Sequence, residues 1–65
     1  MNIYINGEAK MVQATTIAEL VRELNLQDKR IAIELNEQLI AKSRHAETML
    51  TDNVKIEIIQ AVGGG

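Results

Sequence analysis

The group in this 65-residue chain with the clearest chemical use is its last one. The sequence ends Gln60-Ala61-Val62-Gly63-Gly64-Gly65, so an α-carboxylate stands behind three consecutive glycines. A carboxylate is a poor electrophile, and its carbon is attacked readily only after activation, for example as an acyl-adenylate. An enzyme performing that step must draw the chain end through a narrow channel to its bound nucleotide. Glycine has no Cβ, so the backbone can pass and bend there, and the terminal carbonyl carbon stays unshielded. Gly65 is therefore the candidate reacting residue, with Gly64 and Gly63 as the thread that delivers it. A frayed chain end is the alternative reading of the same glycines. On either reading, residues 61–65 form a flexible tail beyond a domain of residues 1–60.

No other constellation competes. The chain has no cysteine and a single histidine, His45, which leaves no zinc site of the usual ligand count and makes His45 a packing or surface residue. The net charge is −2, Lys and Arg are scattered, and the sole aromatic is Tyr4. A nucleic-acid binder would need a positive face and stacking rings. No apolar run approaches the ~20 residues of a membrane span, and no signal-peptide pattern opens the chain. Together with the lack of cysteine, this places the protein in the cytoplasm. A domain this small rarely encloses a ligand pocket of ~300–1,000 Å³. It is expected to present a group to other enzymes and not to be one.

The elements that must hold the tail follow from periodicity. Asn2-Ile3-Tyr4-Ile5 alternates, Asn6-Gly7 interrupts, and Ala9 to Gln13 resumes, which is a hairpin signal because Asn-Gly accepts positive φ twice. Ile3 and Ile5 face the core, and Asn2 and Tyr4 the other side. Thr16-Ile17-Ala18-Glu19 reads as a capping box, with Glu19 reaching back to the cap residue. Ile17, Leu20, Val21 and Leu24 then form one helical stripe, ending near Asn25. Ile31, Ile33 and Leu35 alternate as a third strand, Asn36-Glu37-Gln38 turns, and Leu39-Ile40 is a short fourth. Residues 41–50 are irregular, with Met49 and Leu50 as core anchors. Val54, Ile56 and Ile58 alternate as the fifth strand. The order predicts an α+β domain, a mixed sheet of about five strands with one main helix across one face. Strand five would lie parallel beside strand one, with the helix in the crossover. Tyr4 and Ile59 would then adjoin on the open face, with Ala61 close by, as a docking patch for a partner.

In this order, Asn6-Gly7, Thr16-Ile17-Ala18-Glu19-Leu20, Asn36, Ile40 with Lys42, and the run Ile56 to Gly65 resemble the ubiquitin-like β-grasp superfamily, and within it the sulfur carriers of thiamin (thiazole) biosynthesis, the ThiS family. The resemblance covers the whole chain. It implies that an E1-like adenylating enzyme of the ThiF type, using ATP and Mg, converts the Gly65 carboxylate to an adenylate. Sulfur from a cysteine desulfurase then yields a thiocarboxylate, which a thiazole synthase of the ThiG type consumes. It further implies a monomer when free, with no cofactor of its own. The same tail would suit the small subunit of molybdopterin synthase or a protein-conjugating modifier, while a plain β-grasp interaction module would not need it.

Overall fold

The computed structural model describes residues 1–61; the tail expected beyond Ala61 lies outside the described residues. The element order is β1 (Asn2–Ile5), β2 (Glu8–Met11), α1 (Ile17–Glu23), β3 (Ile31–Leu35), β4 (Gln38–Ile40), a 3-10 helix (Lys42–Glu47) and β5 (Lys55–Gln60). The five strands form one sheet in the order β2-β1-β5-β3-β4, with β5 antiparallel to β3 and parallel to β1. This is the mixed sheet and helix crossover that the hydrophobic pattern called for.

Local chemistry explains the joints. Asn6 and Gly7 have φ of 50° and 84°, the two left-handed residues that match a hairpin turn to the twist of its strands. β2 stops at Met11, short of the expected Gln13, and Val12 and Ala14 turn under the sheet into the core. At the start of α1 the Thr16 hydroxyl accepts from the Glu19 amide at 3.1 Å. The Glu19 carboxylate reaches back one residue further than the capping-box pattern implies. It accepts from the amide and hydroxyl of Thr15, at 2.7 and 2.8 Å. At the far end Asn25 takes φ of 60°, and the Leu26 and Asn25 amides donate to the carbonyls of Val21 and Arg22. That pair of bonds closes the helix in a Schellman motif. Glu23, on the polar side of the stripe, accepts from the amides of Gln13 and Ala14 and so ties the incoming connection to the helix.

Ile3, Ile17, Leu20, Ile33 and Ile56 are fully buried, so β1, α1, β3 and β5 each place a side chain at the centre of one core. Met49 does not join Leu50 there. The segment is extended at its bridge to Thr16, so neighbouring side chains face opposite ways, and Leu50 takes the core while Met49 is 61% exposed. His45, on the 3-10 helix, is buried and its Nε2 donates to the Ile40 carbonyl at 3.2 Å.

β5 needs special support. Its partner β1 matches it only at Lys55 and Ile56, because the chain turns away at Asn6-Gly7. The Asn6 side-chain amide takes over where the backbone leaves. Its Oδ1 accepts from the Ile58 amide at 2.8 Å, and its Nδ2 donates to the Ile58 carbonyl at 3.3 Å. On the other flank Asn36 donates its own amide to the Lys55 carbonyl and accepts from the Lys55 amide through Oδ1. The Ala61 amide donates to the Arg30 carbonyl at 2.9 Å, the bond of that ladder nearest the chain end among the described residues.

Asn6→Ala is expected to lower stability by about 1–2 kcal/mol through the two lost bonds, with faster hydrogen exchange at the Ile58 amide. Asn6→Asp keeps the acceptor but loses the donor, so Ile58 should stay protected while the melting temperature still falls. Equal exchange at Ile58 in both variants would contradict the clamp. A second test concerns Glu19, whose carboxyl is held below its ordinary value of 4.5 by the Thr15 amide, then the Thr15 hydroxyl, with smaller help from the Thr16 amide and Arg22. A carboxyl depressed in the native state contributes stability that is present above its unfolded value and is lost as pH falls through its native one. Thermal melts should therefore show wild type above Glu19→Gln at pH 7, with the gap closing as pH drops below 4.5. A gap independent of pH would show that the charge plays no part.

Candidate functional site

The site is built outward from β5. Val54 and Ile56 point into the core and Ile58 packs against it, so Lys55, Glu57 and Ile59 face away from the helix. The expected reacting residue Gly65, with Gly64 and Gly63, lies outside the described residues. What the structure describes is the base from which they continue: Ile59, Gln60 and Ala61, all exposed and held against β3 through the Ile31–Gln60 and Ala32–Ile59 pairs.

The expected docking residues are on the surface, but they do not adjoin. Tyr4 is 37% exposed and Ile59 52%. Tyr4 sits opposite Lys55, whereas Ile59 lies four residues further along β5. At a rise of about 3.3 Å per residue, that separates them by roughly 13 Å along the strand. Strand adjacency and facing were right, and the offset along the parallel pair was not visible in the pattern. The single patch therefore becomes two. Tyr4 lines a hollow of about 370 Å³ at the hairpin-turn end with Gly7, Glu37, Lys55 and Glu57. Ile59 and Ala61 line a groove of about 490 Å³ at the tail end, walled by Val21, Leu26 and Ile31.

Between the two hollows the open face of the sheet is acidic at its centre. Glu34 stands directly opposite Glu57, an arrangement that disfavours the isolated sheet. Leu39 lies beside them, paired with Glu34 and 69% exposed, an apolar surface residue that the sequence reading took only as strand. The tail-end groove has the opposite sign. Lys29, Arg30 and Lys42 line it, and no Asp or Glu does. Scattered in sequence, these cations converge because the turn before β3 and the start of the 3-10 helix meet at the same end of the sheet. Among the described residues, no cluster of three His, Asp or Glu is placed to hold a metal.

Comparison with known proteins agrees with that arrangement. The family model described as ThiS matches residues 2–65. A thiazole synthase of Paramagnetospirillum magneticum is 35% identical over the whole chain, which covers 20% of that protein. The chain thus spans about a fifth of the length of that relative and of a second thiazole synthase, from Magnetococcus marinus. The sulfur carrier protein ThiS of Bacillus subtilis is 40% identical over 50 residues, 77% of this chain and 76% of that one. The crystal structure of a thiamine biosynthesis protein (ThiS) from Geobacter metallireducens superposes with a TM-score of 0.84 at 26% identity, covering both chains completely. The five-stranded sheet and single α-helix are thus the ubiquitin-like β-grasp fold. The chain belongs to the ThiS family, the sulfur carrier proteins of thiamin biosynthesis.

Proposed function

We propose that this carrier holds its sulfur as a thiocarboxylate on Gly65 and delivers it to a thiazole synthase. An E1-like adenylating enzyme of the ThiF type first uses Mg-ATP: a carboxylate oxygen of Gly65 attacks the α-phosphorus and pyrophosphate leaves. The terminal sulfur of a persulfide derived from a cysteine desulfurase then attacks the acyl carbon and AMP leaves. A second thiol reduces the resulting acyl disulfide, releasing the thiocarboxylate and forming a disulfide with the thiol that had carried the persulfide. The thiazole synthase takes that sulfur into its product, and the chain end returns to a carboxylate. Catalysis resides on the partners, and the carrier is a recycled cosubstrate that supplies position. The ATP that the adenylating partner uses supports a cytoplasmic carrier. No helix among the described residues is long and apolar enough to cross a membrane.

The observation that carries the reading is the anchoring of β5. Paired with β3 along its length and clamped by Asn6 and Asn36, it holds Ala61 at a fixed point of the surface, with four residues and a carboxylate beyond. The two thiazole synthases that contain a stretch similar to this whole chain support a thiazole synthase as the acceptor.

Removing Gly65, or Gly64 and Gly65, should abolish sulfur loading and leave the melting temperature unchanged. Intact-mass analysis after incubation with the adenylating enzyme, ATP and a sulfur source should show one oxygen exchanged for sulfur on the full chain alone. Loading of the shortened chain would overturn the assignment of Gly65. Of the docking residues, Ile59 stands beside the tail and Tyr4 at the remote end. Ile59→Asp is expected to weaken binding to the adenylating enzyme about tenfold, some 1.4 kcal/mol, and Tyr4→Asp less. Both should alter stability by no more than about 0.5 kcal/mol. Calorimetric titration giving unaltered affinity for both variants would remove the two residues from the interface.

A further inference from the structure

The groove at the tail end is formed by residues of one charge sign in a protein of the other. The chain carries seven Lys and Arg against nine Asp and Glu, yet three of the seven cations line this groove and none of the nine acids does. Asp28 lies in the same turn, but it does not line the groove. All three cations are exposed, and among the described residues the ion pair that forms is Arg44–Glu47, elsewhere on the 3-10 helix. Val21, Leu26, Ile31 and Ile59 add apolar surface to its lining.

Covalent reach decides what must approach this groove. Four residues separate Ala61 from the terminal carboxylate, and a chain spans at most ~3.6 Å per residue, so the carboxylate lies within roughly 14 Å of Ala61. Ala61 itself lines the groove. An enzyme that acts on Gly65 therefore works within that reach of the groove, and a surface that met the groove would have to complement three cations and an apolar lining. Resting on the carrier reading above, we propose that the groove docks the channel mouth of the adenylating enzyme through a surface that carries carboxylates around an apolar side chain. The apolar side chain meets the apolar lining, and the carboxylates meet Lys29, Arg30 and Lys42. Rim charges of this kind act chiefly on the association rate and its salt dependence.

The test compares wild type, Lys29→Glu/Lys42→Glu and the milder Lys29→Gln/Lys42→Gln, with Lys10→Glu on the opposite sheet edge as the control. Binding rate and Kd for the adenylating enzyme are measured at low and high salt, with a thermal melt of each variant. The charge reversal should raise Kd by at least about tenfold, mostly through a slower association rate that salt no longer affects. The glutamine pair should fall between, and Lys10→Glu should stay within about twofold of wild type. Reversal variants that load sulfur and bind like wild type, or lose no more than Lys10→Glu, would overturn the groove and leave the carrier reading standing. A wild-type chain that neither binds nor gains sulfur would overturn both. Saturable binding of inorganic pyrophosphate by the free chain, with amide shifts at Lys29, Arg30 and Lys42 and no change in enzyme affinity on reversal, would reassign the groove to a small anion.

Discussion

β5 is the central strand of the sheet and its continuation is the chain end, but its neighbour β1 turns away after two paired residues. A strand whose neighbour leaves loses the sheet bonds that its amides and carbonyls on that side would have made. The hairpin that gives the domain its first two strands therefore creates a deficit in its last one. Asn6 meets it with a side chain that is itself an amide, one acceptor and one donor, set against one donor and one acceptor of Ile58. Asp would lack the donor and Gly would lack both. The residue that shapes the turn is thus also the residue that completes the sheet, and on the other flank Asn36 holds Lys55 with its backbone amide as donor and its side-chain Oδ1 as acceptor.

This arrangement divides the labour along one strand. Val54, just before β5, and Ile56 in its first half enter the core and hold the domain together. The second half pairs with β3 alone and ends with Ala61 tied to Arg30, beside the basic groove. On the proposed function, the reactive atom is a main-chain carboxylate behind three glycines, and the strand that precedes it supplies the orientation. The acidic centre of the sheet face and the basic groove at its end give a partner two signs of charge to read, and so fix which way the domain sits.

Much of the fold was legible because its signals are local. Asn6-Gly7 needs positive φ, Thr16 with Glu19 marks a helix start, and the alternation of Ile31, Ile33, Leu35 and of Val54, Ile56, Ile58 separates inner from outer faces. The candidate reacting residue, Gly65, lies outside the described residues, so its assignment rests on the sequence and the proposed function. Illegible were the features that depend on long-range offset. Alternation fixes which side Tyr4 and Ile59 face but not how far β1 slides along β5, so a supposed single patch is two. Glu23 reads as a solvated charge until the Gln13-Ala14 connection is laid against it. Lys29, Arg30 and Lys42 form a cluster only after β3, β4 and the 3-10 helix have been folded round the end of α1. Glu37 gives no hint in sequence of its left-handed φ of 71°, which the second hairpin imposes on it.

The central claim is that sulfur travels on the Gly65 carboxylate of this chain. The most direct measurement is a single turnover: the chain, converted to its thiocarboxylate with a heavy sulfur isotope and freed of the adenylating enzyme and sulfur source, is given to thiazole synthase with its remaining substrates. The account predicts heavy sulfur in the thiazole product, one atom for each carrier that returns to the mass of its carboxylate. Product formed without the heavy isotope, or a labelled carrier that keeps its sulfur, would contradict it.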